Sequence, residues 1–246
     1  MKILYLIGNY GLLMKQVFRK PCNRNMFWKQ FMYEVDVLGI DSLGITAFIS
    51  IFMGAVIAIQ TASNIDNPLT PSYLVGYTTR ESMILEFAPT MIGLILAGKV
   101  GSRIASEIGT MRVTEQIDAL DVMGVNSASY LILPKISACL IINPFLVTLS
   151  MILGTFGGWL AMTVTGMVPS DQYISGIRYS FQLYNVFYAI VKTLVFAFII
   201  STISATQGYN TSGGALEVGR ASTKAVVYSS ILIILFNLIL TQLLLG

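Results

Sequence analysis

Four carboxylates lie within one polar stretch of an otherwise apolar chain, at Glu107, Glu115, Asp118 and Asp121. Such a group could ligate a metal ion or act as a general acid and base. However, Glu115, Asp118 and Asp121 stand three residues apart, and the chain contains no histidine. This spacing is typical of the polar side of an amphipathic helix. We therefore expect no metal site, no catalytic residue and no enzymatic activity in this chain.

The apolar side of the same stretch repeats at helical spacing, at Val113, Ile117, Leu120 and Gly124. A segment that only joined two membrane spans could be shorter and less polar. The stretch from Glu107 to Leu120 therefore predicts a short helix that lies outside the bilayer and presents one face to a partner.

Nucleotide hydrolysis is not expected in this chain. The pattern G-x-x-x-x-G-K-[ST] is absent, and Gly213-Gly214 is too weak a signal for a phosphate-binding loop. A separate subunit would have to hydrolyse any ATP that powers the protein. Cys22 lies in a basic segment and Cys139 in an apolar run, which indicates two unrelated thiols.

Lys192 interrupts the apolar run from Tyr179 to Thr206. A charge inside a membrane is costly unless its side chain reaches the interface, pairs with another charge or faces a wet cavity. The lysine side chain could reach the outer interface. The alternative is a functional or pairing role, for which Glu86 is the candidate partner.

The composition indicates an all-α integral membrane protein. Hydrophobic residues make up 55% of the chain and charged residues 11%, whereas about 25% of residues are charged in soluble domains. A membrane span needs about 20 mostly apolar residues. Five segments meet this requirement, near residues 43–62, 82–103, 134–165, 184–206 and 225–245. The third belongs to a charge-free run, Ile136 to Ser170, which must tilt, kink near Pro144 or extend beyond the bilayer.

Basic residues flank these spans unevenly. Twelve of them fall on one predicted side, at Lys2, Lys15, Arg19, Lys20, Arg24, Lys29, Lys99, Arg103, Arg112, Lys135, Arg220 and Lys224. The opposite side has only Arg80 and Arg178. The positive-inside rule therefore predicts that the N-terminus and the polar stretch are cytoplasmic. Five spans then place the C-terminus outside.

The segment from Arg24 to Leu38 precedes the first span. Its apolar residues recur at helical spacing, at Phe27, Trp28, Phe31, Met32, Val35 and Leu38. This pattern predicts an amphipathic helix in the cytoplasmic interface, so residues 1–41 would form a cytoplasmic tail and an interfacial helix. The alternative is a soluble helix packed on the protein.

Small residues recur every four positions along the second span, at Ala97, Gly101, Ala105 and Gly109. Such a seam lets helices approach closely, and Gly154 and Gly158 form a similar pair. Packing is the simplest interpretation of both. The first seam would also connect the membrane rigidly to the polar stretch.

Several motifs, taken in order, resemble one known family. They are Glu86-Phe-Ala-Pro followed by Ala97-Gly-Lys-Val-Gly101, then Glu107-Ile-Gly-Thr-Met-Arg-Val-Thr-Glu-Gln-Ile-Asp-Ala-Leu120, and Val218-Gly-Arg-Ala-Ser-Thr-Lys-Ala-Val-Val227. Over residues 25–246 the chain is similar to the MlaE (YrbE) permeases, membrane subunits of ABC-type lipid transporters. Three positions depart from the family pattern: Lys99 replaces an arginine, Ala88 replaces a glycine, and Asn237 lies near the place in the last span where relatives often carry an acidic residue.

The resemblance implies a multi-pass permease domain over residues 42–246 in a bacterial inner membrane, with a periplasmic C-terminus. It implies a homodimer, a cytoplasmic ABC ATPase that binds ATP and magnesium, an outer MCE-domain partner and phospholipid cargo. No cofactor in this chain and no nucleic-acid partner are expected. The segment from Arg112 to Met123 would be the cytoplasmic coupling helix between spans 2 and 3. The ATPase-coupling candidates are Glu107, Arg112, Glu115 and Asp118, and the translocation-path candidates are Glu86 and Lys192.

Other functional classes explain the sequence less well. A secondary transporter or channel for a hydrophobic solute is the alternative, but it would use ionisable groups inside the membrane, and apart from Lys192 the spans hold few. A membrane enzyme would need a set of catalytic residues at the interface, and none is evident. A purely structural scaffold would leave the polar stretch unexplained.

Overall fold

The computed structural model of the chain describes residues 2–19, 24–65 and 71–245. These residues are largely helical and contain no β-strand, which confirms the predicted all-α class. The helices are α1 (Lys2–Arg19), α2 (Arg24–Asn64), α3 (Tyr73–Val113), α4 (Gln116–Val122), α5 (Ser127–Thr165), α6 (Ser170–Arg178), α7 (Leu183–Tyr209) and α8 (Ala215–Leu245). The predictions for Lys20 and Cys22 concern residues outside the described ranges.

Five helices, α2, α3, α5, α7 and α8, are long and apolar enough to cross a membrane. Each contains one predicted span and extends beyond it. Helix α5 has 39 residues and continues through Pro144 without a break. At 1.5 Å per residue it is about 58 Å long, nearly twice the hydrocarbon core of a bilayer. A helix of this length must tilt, kink near Pro144 or extend past the bilayer, so all three sequence-based options stay predictions.

The predicted interfacial segment is continuous with the first span. A π-helical turn, Asp36–Ile40, joins Arg24–Val35 to Asp41–Asn64 within α2. The predicted apolar positions are not equally covered, since Phe31 is buried whereas Trp28 is exposed. The location of this segment in the membrane interface stays a prediction.

Helix α3 contains two π-helical segments, Met83–Met91 and Ala97–Gly101. The first includes Pro89, which has no N–H to donate to the carbonyl of Leu85 in the α-helical pattern. Proline thus gives a local reason for the wider turn. Such turns are often found at functional sites, and this one contains Glu86.

The chain forms two compact units. The first unit comprises the described residues of 1–41, 94–143 and 194–246, and the second unit comprises those of 42–93 and 144–193.

Close packing of the small-residue seam is confirmed in the first unit. A Cβ atom added to Gly101 would lie 2.9 Å from Ser204 Oγ on α7, and one added to Gly109 would lie 3.3 Å from Val218 Cγ1 on α8. The seam therefore brings the end of α3 against both helices, as small residues allow in lipid.

In the second unit, glycines bring α2 and α5 into backbone contact. A Cβ atom on Gly54 would overlap the carbonyl oxygen of Gly154. The Ser50 and Ser150 hydroxyls, 2.7 Å apart, join the same two helices. The sequence-predicted pair Gly154 and Gly158 is thus a packing site, since a Cβ on Gly158 would overlap the Tyr173 hydroxyl.

Arg80 fastens α3 to the end of α6 in the second unit. Its side chain is buried, and it donates hydrogen bonds to the carbonyl oxygens of Ile177 at 2.6 Å and Tyr179 at 2.9 Å. It also pairs with Glu81, whose other carboxylate oxygen accepts a hydrogen bond from Asn185 at 2.7 Å. Arg80 is therefore a structural residue as well as a flanking charge.

Candidate functional site

The polar stretch folds as a helical turn rather than as one helix. Helix α3 ends at Val113, and α4 begins at Gln116. Glu115 between them has φ 61°, in the left-handed region. This conformation costs about 1–2 kcal/mol for a residue with a Cβ atom. The prediction of a single helix from Glu107 to Leu120 is corrected accordingly, because the left-handed residue Glu115 interrupts the helix and divides the stretch between the end of α3 and the short helix α4.

An ion pair spans this turn. Arg112 Nη1 lies 2.6 Å from Asp118 Oδ1, and both side chains are partly exposed. The Arg112 guanidinium also lies 5.9 Å from the centre of the Tyr209 ring on α7. Ile117 is fully buried beneath the turn. Two of the four predicted coupling residues are therefore brought together, and they hold α4 against the end of α3.

The outer side of the turn combines charge with apolar surface. Glu115, Asp118 and Asp121 are exposed, as the pattern of the sequence predicts. Val122 is 88% exposed and Met123 is 68% exposed. Large apolar side chains left in water beside charges are typical of a surface that a partner covers. We call Glu115, Asp118, Asp121, Val122 and Met123 the turn surface.

Only part of the predicted apolar stripe of this segment is buried against the protein. Ile117 is buried, Val113 and Leu120 are intermediate, and Gly124 is exposed with φ 76°. Gly124 serves as the left-handed residue just beyond α4, a position that favours glycine because it has no Cβ atom.

Glu107 does not belong to the turn surface. Its Oε2 lies 2.8 Å from Lys135 Nζ, and the same ammonium lies 2.5 Å from Glu34 Oε1. Gln30 Nε2 donates a further hydrogen bond to Glu34 Oε1 at 3.1 Å. We call Gln30, Glu34, Glu107 and Lys135 the Lys135 cluster. Lys135 and Glu34 are buried, whereas the Glu107 side chain is 37% exposed.

The Lys135 cluster was not predicted from the sequence. Lys135 was counted only among the basic residues that flank the membrane spans, and Glu34 was not singled out. One signal was present, because Glu34 lies three residues after Phe31 and four before Leu38. These spacings put all three on one helix face, and both apolar residues are buried. A carboxylate on a buried face predicts a cationic partner.

The two translocation-path candidates form an ion pair in the second unit. Lys192 Nζ lies 2.9 Å from Glu86 Oε1 and donates to the Leu85 carbonyl at 3.2 Å. It also lies 4.8 Å from the centre of the Tyr188 ring. Lys192 is fully buried, whereas the Glu86 side chain is 42% exposed. The candidate pairing is confirmed, and the lysine does not need to reach the membrane interface.

The chain matches known proteins over nearly its whole length. The family described as Permease MlaE matches residues 31–243. A probable ABC transporter permease protein of Rickettsia bellii is 36% identical over 241 residues, which cover 96% of this chain and 91% of the relative. The probable ABC transporter permease protein slr1045 of Synechocystis is 33% identical, covering 93% of this chain and 86% of the relative.

A plant relative extends this similarity. The chloroplastic protein TRIGALACTOSYLDIACYLGLYCEROL 1 of Arabidopsis thaliana is 29% identical over 227 residues, which cover 92% of this chain and 65% of that protein. Its name is that of a galactolipid. The family match over residues 31–243 includes the turn surface, the Glu86–Lys192 pair and Glu34, Glu107 and Lys135.

Proposed function

Because the chain belongs to the MlaE family of ABC transporter permeases, we propose that it moves phospholipids or related amphiphiles across the cell envelope, driven by ATP hydrolysis on a separate subunit. It is a multi-pass membrane protein with five helices suited to cross a bilayer. We place it in a bacterial inner membrane, with a cytoplasmic N-terminus and a periplasmic C-terminus.

The turn surface is the observation that carries this proposal. It lies in the segment between the second and third long apolar helices, and it presents exposed carboxylates beside Val122 and Met123. An ABC permease works with an ATPase partner. A turn fixed by the Arg112–Asp118 pair could transmit a push from that partner, because the pair ties α4 to α3.

The nature of the cargo is inferred from surface chemistry and from a relative. The long helices carry many exposed apolar side chains, among them Phe48 and Phe52, which lie 4.6 Å apart by their ring centres. Apolar walls suit acyl chains, because they bury hydrocarbon without leaving polar groups unpaired. The galactolipid name of the Arabidopsis relative favours a lipid as the cargo.

We propose the following cycle. Nucleotide binding closes the ATPase dimer and displaces the turn surfaces of two permease copies, and this movement reshapes an apolar cavity formed by the permeases. Helix α3 carries the push toward the membrane, since it runs as one helix from Tyr73 to Val113. An MCE-domain partner on the outer side exchanges the lipid. Glu86 and Lys192 take part in the translocation path.

Co-purification tests the coupling surface. The tagged full-length permease is expressed with its ATPase in wild-type form, as Glu115→Lys plus Asp118→Lys, and as the matched control Asp171→Lys on α6. Replacing the two carboxylates by lysines places positive charges opposite the ATPase groups that the carboxylates would contact. This like-charge repulsion should weaken capture of the ATPase about tenfold or more. The control should retain it. Full capture by the double variant would contradict the coupling role.

A transport assay tests the function as a whole. The assembled complex is reconstituted into vesicles that contain a fluorescent phospholipid, and movement of the lipid is measured with and without ATP. ATP-dependent movement that the double variant loses is expected. Movement driven by an ion gradient alone would instead favour a secondary transporter.

A further inference from the structure

The Lys135 cluster joins three separate parts of the chain within the first unit. Glu34 lies on α2, Glu107 lies on α3 just before the turn surface, and Lys135 lies on α5. Glu34 and Lys135 are 101 residues apart in sequence, and Lys135 and Glu107 are 28 apart. One ammonium thus bridges three helices through two carboxylates.

The cluster is an expensive way to hold helices together. Lys135 and Glu34 are 1% and 0% exposed, so both charges have lost their water. Glu34 Oε2 is buried and accepts no hydrogen bond from the described residues. Apolar residues of similar volume often stabilise a protein as well as a buried ion pair or better. Stability alone is therefore a weak reason for these residue types.

The two carboxylates differ in how easily they can leave Lys135. Glu34 is fully buried, so separating it from Lys135 would leave two unsolvated charges. Glu107 is 37% exposed, so water can replace the ammonium as its partner. A movement of α3 can therefore break the contact with Glu107 at low cost, while the contact between α2 and α5 persists.

We propose that Lys135 is a positioning residue of the transport cycle, which transmits displacement of the turn through Glu107 to α2 and α5. Glu107 lies only five residues before Arg112, on the same helix α3. This inference rests on the function proposed above. The ionic contact with Glu107 provides the two-state element that transmission between distant parts of a protein requires.

The test compares three forms of the assembled complex with wild type. Glu34→Gln plus Lys135→Met removes the buried charges and leaves Glu107 free to hydrate. Lys135→Arg retains the cation. The matched control, Asp41→Asn plus Arg103→Met, removes an exposed pair that also joins α2 to α3, with a separation of 3.0 Å. ATP hydrolysis and phospholipid movement are measured on the same vesicles.

We expect the Glu34→Gln plus Lys135→Met complex to hydrolyse ATP within about twofold of wild type. Its ratio of lipid moved to ATP hydrolysed should fall about fivefold or more, the usual lower range for coupling between two sites. Lys135→Arg and the control should keep the ratio. An unchanged ratio in the double variant, or an equal fall in the control, would overturn the proposal.

Two further outcomes are distinguishable. If the double variant does not assemble, Glu107→Ala alone provides the measurement, because it removes the contact between α3 and Lys135 while the buried Glu34–Lys135 pair remains, and an unchanged ratio would again overturn the proposal. If wild type moves no phospholipid with ATP, the proposed function fails and this inference fails with it. Transport by wild type with normal coupling in every variant removes only the role of Lys135.

Discussion

Unequal burial of Lys192 and Glu86 predicts an unequal response to mutation. Lys192 is 0% exposed, whereas the Glu86 side chain is 42% exposed. Glu86→Gln leaves a buried ammonium without its counter-charge, with the Leu85 carbonyl and the Tyr188 ring as remaining partners. Lys192→Met leaves a carboxylate that the protein encloses only in part. The first variant should therefore be the less stable one.

The expected loss of stability follows from the 2.9 Å separation between Lys192 Nζ and Glu86 Oε1. At an effective dielectric constant of about 20, two unit charges at this distance attract by about 6 kcal/mol before desolvation is subtracted. Removing one partner of a buried pair costs about 3–5 kcal/mol. Because the Glu86 side chain is 42% exposed, we expect the lower end of this range, about 3 kcal/mol, for Glu86→Gln. For Lys192→Met we expect about 1 kcal/mol, close to the value for an exposed pair.

Thermal unfolding of the detergent-purified protein measures the difference. For a chain of this size 1 kcal/mol corresponds to a Tm shift of about 2–4 °C. Glu86→Gln should thus lower Tm by about 6–12 °C and Lys192→Met by about 2–4 °C. The double variant should be more stable than Glu86→Gln alone, since it no longer contains an unpaired buried charge. A double variant as unstable as Glu86→Gln, or a reversed order of the single variants, would refute this reasoning.

Two further predictions use matched variants at single sites. Gly54→Ala should prevent normal folding, because its Cβ would overlap the Gly154 carbonyl. Gly44→Ala on the same helix meets no atom within 4 Å and should stabilise α2 by about 0.5–1 kcal/mol. Size-exclusion profiles after heating would show both effects, and equal profiles for the two variants would contradict the packing. Glu115→Gly should raise the Tm of the isolated permease by about 2–8 °C through relief of left-handed strain and weaken capture of the ATPase. Glu115→Gln keeps the strain and should leave Tm unchanged.

Features that depend on local sequence were predictable. The five spans follow from apolar runs of sufficient length, and each lies inside a helix of the structure. The seam at Gly101 and Gly109 follows from four-residue spacing of small residues, and it packs closely. The two helices of the polar stretch were not predictable, because Thr-Glu-Gln offers no glycine or proline to mark a left-handed residue at Glu115.

Features that depend on distant parts of the chain were harder to predict. The partner of Lys192 could be proposed because few charges lie near the spans, which leaves Glu86 as a candidate. Glu34 has several charged neighbours in sequence, whereas Lys135 is the only charged residue between Asp121 and Asp171, so no local pattern selects their pairing. Only the fold brings these two residues together across 101 positions.

Helix geometry divides the four predicted coupling residues into two groups. Glu107 and Arg112 are five residues apart, so their side chains point about 140° apart around α3. Glu107, which faces Lys135, therefore cannot share a surface with Arg112, which faces Asp118. The family-like motif thus contains an outward part, with Arg112, Glu115 and Asp118, and an inward contact through Glu107. A push on the outward part that turns or shifts α3 would also move Glu107, whose contact with Lys135 links α3 to α5 and, through Glu34, to α2.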